Sequence, residues 1–295
     1  MAVIAGPTAS GKSAIALEMA ERCGGTIINA DASQLYADLR VVTARPDAAD
    51  EARVPHRLYG VIDGDDPANA ARWATLARQE IDAAIVTGRL PIIVGGTGLY
   101  LTTLIDGIAP VPDIDAAIRA EVRAMATGDA AKALAGEDPA LAARLEPADR
   151  QRILRGLEVV RSTGRSLLAW QGEPADGGIV ADHDVRTMIV DIDRDALRAR
   201  AEPRLQAMLA AGALGEVAAL MARGLAADRP VLRALGVAEF AAVLAGTTTP
   251  ANAVAAAAVS TRQYQKRQLT WGRSQAAGWR RVSDATDAAA ALTRQ

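Results

Sequence analysis

The 295-residue chain has one cysteine, two histidines and three lysines, and each scarcity narrows what it can be. A lone Cys23 rules out a disulfide within the chain, and His56 and His183 give no Cys/His pattern with zinc spacing. Cys23 falls inside the first helical pattern and reads as a small buried apolar residue. Aromatic residues make up only 3% of the chain while alanine abounds, so many closely packed helices are expected. The longest unbroken apolar run, residues 253–259, is far too short to cross a membrane. No leader pattern precedes the first apolar strand, and a cytoplasmic protein is expected. With 33 basic against 35 acidic residues, the net charge of −2 argues against a uniformly basic nucleic-acid binder but leaves room for local basic patches.

One of the three lysines stands in the stretch Gly6-Pro7-Thr8-Ala9-Ser10-Gly11-Lys12-Ser13, which fits G-x-x-x-x-G-K-[ST]. Such a loop turns on its glycines so that successive backbone N–H groups point inward at a phosphate. Lys12 adds a point charge and Ser13 a hydroxyl suited to Mg²⁺, and the following helix offers its positive N-terminal end. The flanking pattern is right for this: Val3-Ile4-Ala5 reads as a strand before the loop, and residues 14–20 as a helix after it.

A second strand, residues 26–30, ends at Asp31. In an open α/β sheet, ligand groups gather at the carboxyl ends of strands, so Asp31 is expected beside the phosphate loop. A plain N-cap aspartate is the competing reading. Ala32, Ser33 and Gln34 follow, with Gln34 able to read a base edge, and Arg45 supplies a loop cation. Residues 56–62 suggest a short strand. Residues 69–87 suggest an amphipathic helix burying Trp73, Leu76, Ala77, Ala84 and Ile85. The buried strand 90–94 ends in Gly95-Gly96-Thr97, where an NTP-driven motor or switch would usually carry an aspartate for Mg²⁺. These glycines permit close approach of backbone to a ligand that Thr97 could bond; a structural turn is the alternative.

The α/β alternation stops after Pro110-Val111-Pro112. From 113 to about 170 only helix signals remain, at 115–126, 139–145 and 149–163, before a strand at 187–192 returns to the sheet. Helices at 195–211, 214–223, 237–244 and 251–271 fill the remainder. The expected architecture is a P-loop NTPase-like α/β core, 1–112 with 185–295, carrying an inserted all-helical subdomain at 113–184. Two stretches gather positive charge: Arg150, Arg152, Arg155, Arg161 and Arg165, and then Arg233, Arg262, Lys266, Arg267, Arg273, Arg280 and Arg281. In an acidic chain, they point to a polyanion partner.

The phosphate loop, Asp31 to Tyr36, Gly95 to Tyr100, Gln151-Arg152-Ile153-Leu154-Arg155 and Lys266-Arg267-Gln268-Leu269-Thr270-Trp271 occur in that order. Together they resemble the bacterial tRNA dimethylallyltransferase (isopentenyltransferase) family over essentially the whole chain. The resemblance implies transfer of a dimethylallyl group from dimethylallyl diphosphate to N6 of the adenosine 3′ of the anticodon, in tRNAs reading codons that begin with U. It implies that the loop holds the diphosphate, with Mg²⁺ at Ser13. It further implies that Asp31 is the general base and that Thr97 assists at the site. Contacts to the tRNA anticodon stem-loop fall to Asp31, Ala32, Ser33, Gln34, Thr97, Arg119 and Gln151 to Arg155, and the insert is the family's mobile helical domain. A monomer is expected. Ala32 stands where the family usually has serine, Val42 and Arg45 depart from its Gly-Thr-Ala-Lys-Pro pattern, and Val237 replaces a common tyrosine. An adenylate isopentenyltransferase acting on free nucleotide and an ATP-using small-molecule kinase remain the rival readings, with a non-enzymatic RNA binder behind them.

Overall fold

The computed structural model describes residues 1–293. Its centre is a six-stranded, all-parallel sheet in the order β3-β2-β4-β1-β5-β6. The strands are β1 (Ala2–Ala5), β2 (Gly25–Asn29), β3 (His56–Arg57), β4 (Leu90–Gly95), β5 (Arg186–Val190) and β6 (Arg280–Val282). The central β1, β2 and β4 are short runs buried on both faces, as a parallel sheet requires, while the edge strands β3 and β6 are polar and partly exposed. Successive side chains alternate between two cores. Val3, Ile28, Ile93 and Ile189 enter one, with the Ala70–Val86, Gly98–Ile105 and Pro250–Ser274 helices. Ile4, Ile27, Ile92 and Met188 enter the other, against the Lys12–Cys23 and Ala285–Thr293 helices.

Several expectations are corrected. Cys23 is exposed, because it occupies the last helical position before the left-handed Gly24 that ends the helix. On the Ala70–Val86 helix Ile81 is 1% exposed and Ile85 45%, so the buried stripe runs Trp73, Ala77, Ile81, Ala84. The strand expected at 56–62 shrinks to His56–Arg57. Residues 195–211 form two segments, Arg194–Ala199 and Ala201–Ala210, and after the helix expected at 251–271 the described residues add β6 and the Ala285–Thr293 helix.

The described residues divide into two compact units, Asp106–Gly178 and the remainder of the chain. The insert is thus displaced from the expected 113–184. The reason is local. Ile108 and Asp176 exchange backbone hydrogen bonds at 3.0 Å, closing the insert's base, while Ile179 is 3% exposed in the sheet's core. Gly107 is left-handed (φ +89°) and lies against the Asp176 carbonyl, where a side chain would collide. Inside the insert, the Ala116–Ala124, Thr127–Glu137, Pro139–Ala142 and Arg150–Thr163 helices enclose Val122, Ala130, Leu134, Leu141, Ile153 and Leu157. Thr127–Glu137 had no expected counterpart.

Candidate active site

The phosphate loop joins β1 to the Lys12–Cys23 helix. It turns on two left-handed residues, Ala9 (φ 66°) and Gly11 (φ 92°), and on a Ser10 N–H bond to the Pro7 carbonyl at 3.1 Å. The Gly6 N–H donates to the Gly95 carbonyl of β4 at 3.3 Å, which pins the loop to the neighbouring strand. A long-range clamp comes from the Pro250–Ser274 helix. Gln268 accepts from the Thr8 N–H (2.8 Å) and donates to the Gly96 carbonyl (2.9 Å), and Gln265 donates to the Thr8 carbonyl (3.1 Å).

Thr8, Ala9, Gly11, Lys12 and Ser13 form one wall of a cavity of about 630 Å³. Asp31 to Gln34, Val42 to Ala44 and a face of the 194–210 segment also line it. Five cations, Lys12, Arg200, Arg204, Arg233 and Arg267, border it, and Asp31 is the sole carboxylate. Such a field attracts a polyanion. Arg200 donates to the Ala9 and Ser10 carbonyls at 3.4 Å and so sits on the loop itself. Burial lowers the Lys12 ammonium to about 8; the Asp31 charge opposes that shift and Arg204 adds to it. Burial likewise lowers Arg204, again opposed by Asp31. Tyr264 is pushed up to about 12 by burial and then by Asp31, with Thr97 and Arg267 opposing the shift.

Asp31 is both a cavity residue and an N-cap. One oxygen, Oδ1, accepts from the Ser33 N–H (3.0 Å) and hydroxyl (2.7 Å), starting the Ala32–Leu35 turn of 3₁₀ helix. The Thr97 hydroxyl accepts from the Ala32 N–H at 3.0 Å, joining the end of β4 to this turn through backbone, so the Ala32 side chain takes no part. Gln34 lines the cavity, and its amide nitrogen donates to the Thr43 and Ala44 carbonyls at 2.9 Å each, which gives it a bracing role. Arg45 is likewise a strut, donating to the Tyr36 carbonyl at 3.3 Å. Gly95 and Gly96 serve packing rather than a ligand: a Cβ on Gly95 would overlap the Ala30 carbonyl, and one on Gly96 the Gln268 amide.

Arg119 and Gln151 to Arg155 belong to the Asp106–Gly178 unit. There Arg119, Gln151 and Arg152 are exposed, and Arg152 reaches Asp149 at 3.5 Å with three quarters of its side chain (75%) in solvent. Burial lowers the Arg155 guanidinium; Glu158 opposes this and the nearby positive Arg119 adds to it. The Ile153 side chain is 2% exposed in the unit's core, so it is unavailable to a partner, and Leu154 packs partly against that core. Three arginines of the expected patch are internal ties. Arg150 donates to the Met125 (2.7 Å) and Arg123 (2.8 Å) carbonyls, Arg161 pairs with Glu121 and Glu137, and Arg165 lies over Trp170. Sequence reasoning missed Arg200, Arg204 and Tyr264. Only the packing of their helices against the phosphate loop marks them out.

The chain is similar to known proteins along most of its length. A family model described as IPP transferase matches residues 34–275, and one described as isopentenyl transferase matches residues 1–66. The tRNA dimethylallyltransferase of Sphingopyxis alaskensis is 54% identical, covering 95% of this chain and 92% of that protein. That of Zymomonas mobilis is 50% identical over 96% and 90%. Among solved structures, a tRNA delta(2)-isopentenylpyrophosphate transferase from Staphylococcus epidermidis superposes with a TM-score of 0.69 at 27% identity, covering 99% of this chain and 96% of that one. A eukaryotic dimethylallyltransferase acting on tRNA gives 0.78 at 25% identity, covering 92% and 69%.

Proposed function

Because the chain belongs to the IPP transferase family, we propose that it transfers a dimethylallyl group from dimethylallyl diphosphate to N6 of the adenosine 3′ of the anticodon in tRNA. The product is N6-(dimethylallyl)adenosine, in tRNAs reading codons that begin with U, and diphosphate is released. The observation that carries the mechanism is the single cavity bordered by the phosphate loop, four arginines and one carboxylate.

The donor's diphosphate lies in the loop, against its N–H groups, Lys12 and the guanidinium groups of Arg200 and Arg204. The exocyclic amine of adenine is a weak nucleophile, since its lone pair is delocalised into the ring. N6 attacks C1 of the dimethylallyl group, the C1–O bond breaks, and its electron pair leaves on the diphosphate. Asp31 takes the N6 proton. Its Oδ1 is engaged by Ser33, while Oδ2 has no hydrogen bond to Ser33 and is the oxygen assigned to the proton. The cations stabilise the charge growing on the leaving group, which is where preorganised electrostatics contribute most. Thr97 fixes the turn that bears Asp31.

Among the described residues, no group of three or more His, Cys, Asp or Glu could hold a metal. A diphosphate-bound Mg²⁺ needs only one or two protein oxygens, and the exposed Ser13 hydroxyl at the cavity wall suits that donor set. Ser13 would hold the ion, which when bound would neutralise charge on the diphosphate. Arg119 and Arg152 are assigned to the tRNA backbone on their exposure and charge, with the exposed Gln151 and the half-buried Arg155 beside them. A tRNA acceptor fits the cytoplasm, and among the described residues no single helix is long and apolar enough to cross a membrane.

The test offers labelled dimethylallyl diphosphate with tRNA, AMP or ATP as acceptor. Label on tRNA supports the proposal. Label on AMP or ATP would make the enzyme a free-nucleotide prenyltransferase, and phosphoryl transfer from ATP would make it a kinase.

A further inference from the structure

Glu216 plays no part in the chemistry above, yet it makes an uncommon set of bonds. It lies in the first turn of the Ala213–Ala222 helix, half-buried, and its carboxylate gathers three consecutive backbone N–H groups. Oε1 accepts from Arg40 and, at 2.9 Å, from Val41; Oε2 accepts from Val42 at 2.8 Å. Converging N–H groups of this kind form an anion nest, here filled by a side chain 174 residues away.

The segment so held is a wall of the cavity: Val42, Thr43 and Ala44 all line it. Ala44 sits at φ 50°, a left-handed conformation that costs a non-glycine residue energy and must be imposed by its surroundings. Two bracings impose it. Glu216 fixes the amides of 40–42, and the Gln34 amide takes the carbonyls of Thr43 and Ala44, both at 2.9 Å. Gln34 is itself in the 3₁₀ turn started by Asp31. An unbroken chain of bonds therefore runs from Glu216 through residues 40–44 and Gln34 to the turn that presents Asp31.

We infer that Glu216 is a positioning residue for the acceptor: its carboxylate shapes the wall beside Asp31 against which the adenine is seated, and it leaves the phosphate loop untouched. This rests on the proposed tRNA prenyl transfer. No hydrogen bond joins Glu216 to residues 6–13 among those described, so the donor half of the cavity stands independently of it.

Two measurements on Glu216→Ala, Glu216→Gln and wild type test the inference separately from the function. Amide hydrogen exchange reads the nest directly, whatever the reaction. Residues 40–44 should lose protection in Glu216→Ala while residues 6–13 keep theirs; unchanged protection at 40–44 overturns the inference. Kinetics read the consequence. In Glu216→Ala, kcat/KM for tRNA should fall roughly 10- to 100-fold, up to the loss that a misplacement of about 1 Å can cause, with KM for dimethylallyl diphosphate unchanged within about twofold. Glu216→Gln keeps Oε1 as an acceptor and should recover part of the loss. A fall in both KM-dependent terms together, or a lower melting temperature with unaltered kinetics, would reduce Glu216 to a fold-stabilising residue. Absence of tRNA prenylation by wild type would instead refute the proposed reaction, while the exchange result still decides the nest.

Discussion

Lys12 shows how one buried side chain sets the pH range of donor binding. It is 9% exposed, and desolvation brings its ammonium down to about 8. Below that pH the group is charged and attracts diphosphate; above it the neutral amine forfeits the attraction. For free enzyme, kcat/KM for dimethylallyl diphosphate should therefore decline as pH rises past about 8. Lys12→Ala should be slower at every pH and lack that limb. Because the Asp31 charge raises the Lys12 pKa, Asp31→Asn should move the limb to lower pH. A limb that persists in Lys12→Ala would assign it to another group.

At this scale the sequence was informative wherever the signal is local. The phosphate loop is eight contiguous residues, and Asp31 follows from a strand-end argument that needs no tertiary detail. The bracing of residues 43 and 44 by Gln34 was not legible, because its amide nitrogen donates to carbonyls nine and ten residues away. Nothing in a linear pattern reports such a bond.

Among the elements, the Pro250–Ser274 helix matters most to the site. Gln268, 7% exposed, satisfies both the Thr8 N–H and the Gly96 carbonyl, so it ties the phosphate loop to the end of β4. Gln268→Leu keeps the volume and strands both backbone groups without partners, at about 1–3 kcal/mol each. The variant should melt at lower temperature and bind dimethylallyl diphosphate more weakly, readable by calorimetry and by KM. Unchanged donor affinity in a destabilised variant would show that the clamp serves the fold alone. The same clamp explains Gly96, where any Cβ would meet the Gln268 amide. Elements missed from sequence had weak signals. β6 is three residues with two arginines, Arg280-Arg281-Val282, and no apolar run. The Thr127–Glu137 helix begins at Ala126 without a side-chain cap and carries Gly128 in its first turn. Asn69, by contrast, caps the Arg72 N–H at 2.9 Å, and that helix was legible nearly to the residue.

Over the whole molecule, net charge and function point in different directions. The chain is acidic, so the proposed tRNA binding has to rest on local arginines. Arg152 and Arg155, on the insert's longest helix, are the candidates left once Arg150, Arg161 and Arg165 are assigned to internal ties. The Arg152–Asp149 pair at 3.5 Å is solvent-exposed and costs little to give up. Replacing both arginines by Ala should raise the tRNA KM and flatten the dependence of log K on log salt by about two contacts' worth, a slope change of roughly 1.4–1.8. An unchanged slope would return them to the solvated surface. Sequence reading found the insert but misplaced its edges by several residues, since the pairing of Ile108 with Asp176 that defines its base spans the whole subdomain.

In the proposed reaction Asp31 removes the N6 proton while the phosphate loop holds the leaving diphosphate. Asp31→Asn tests it with little disturbance, because asparagine retains the Oδ1 acceptor used by the Ser33 N–H and hydroxyl and so preserves the turn. Single-turnover transfer to tRNA should slow by about 10²- to 10⁴-fold, the range of general-base assistance, with tRNA and dimethylallyl diphosphate affinities nearly unchanged. Near-normal transfer by Asp31→Asn, or a loss confined to tRNA binding, would contradict the account and leave Asp31 as the capping residue of its turn.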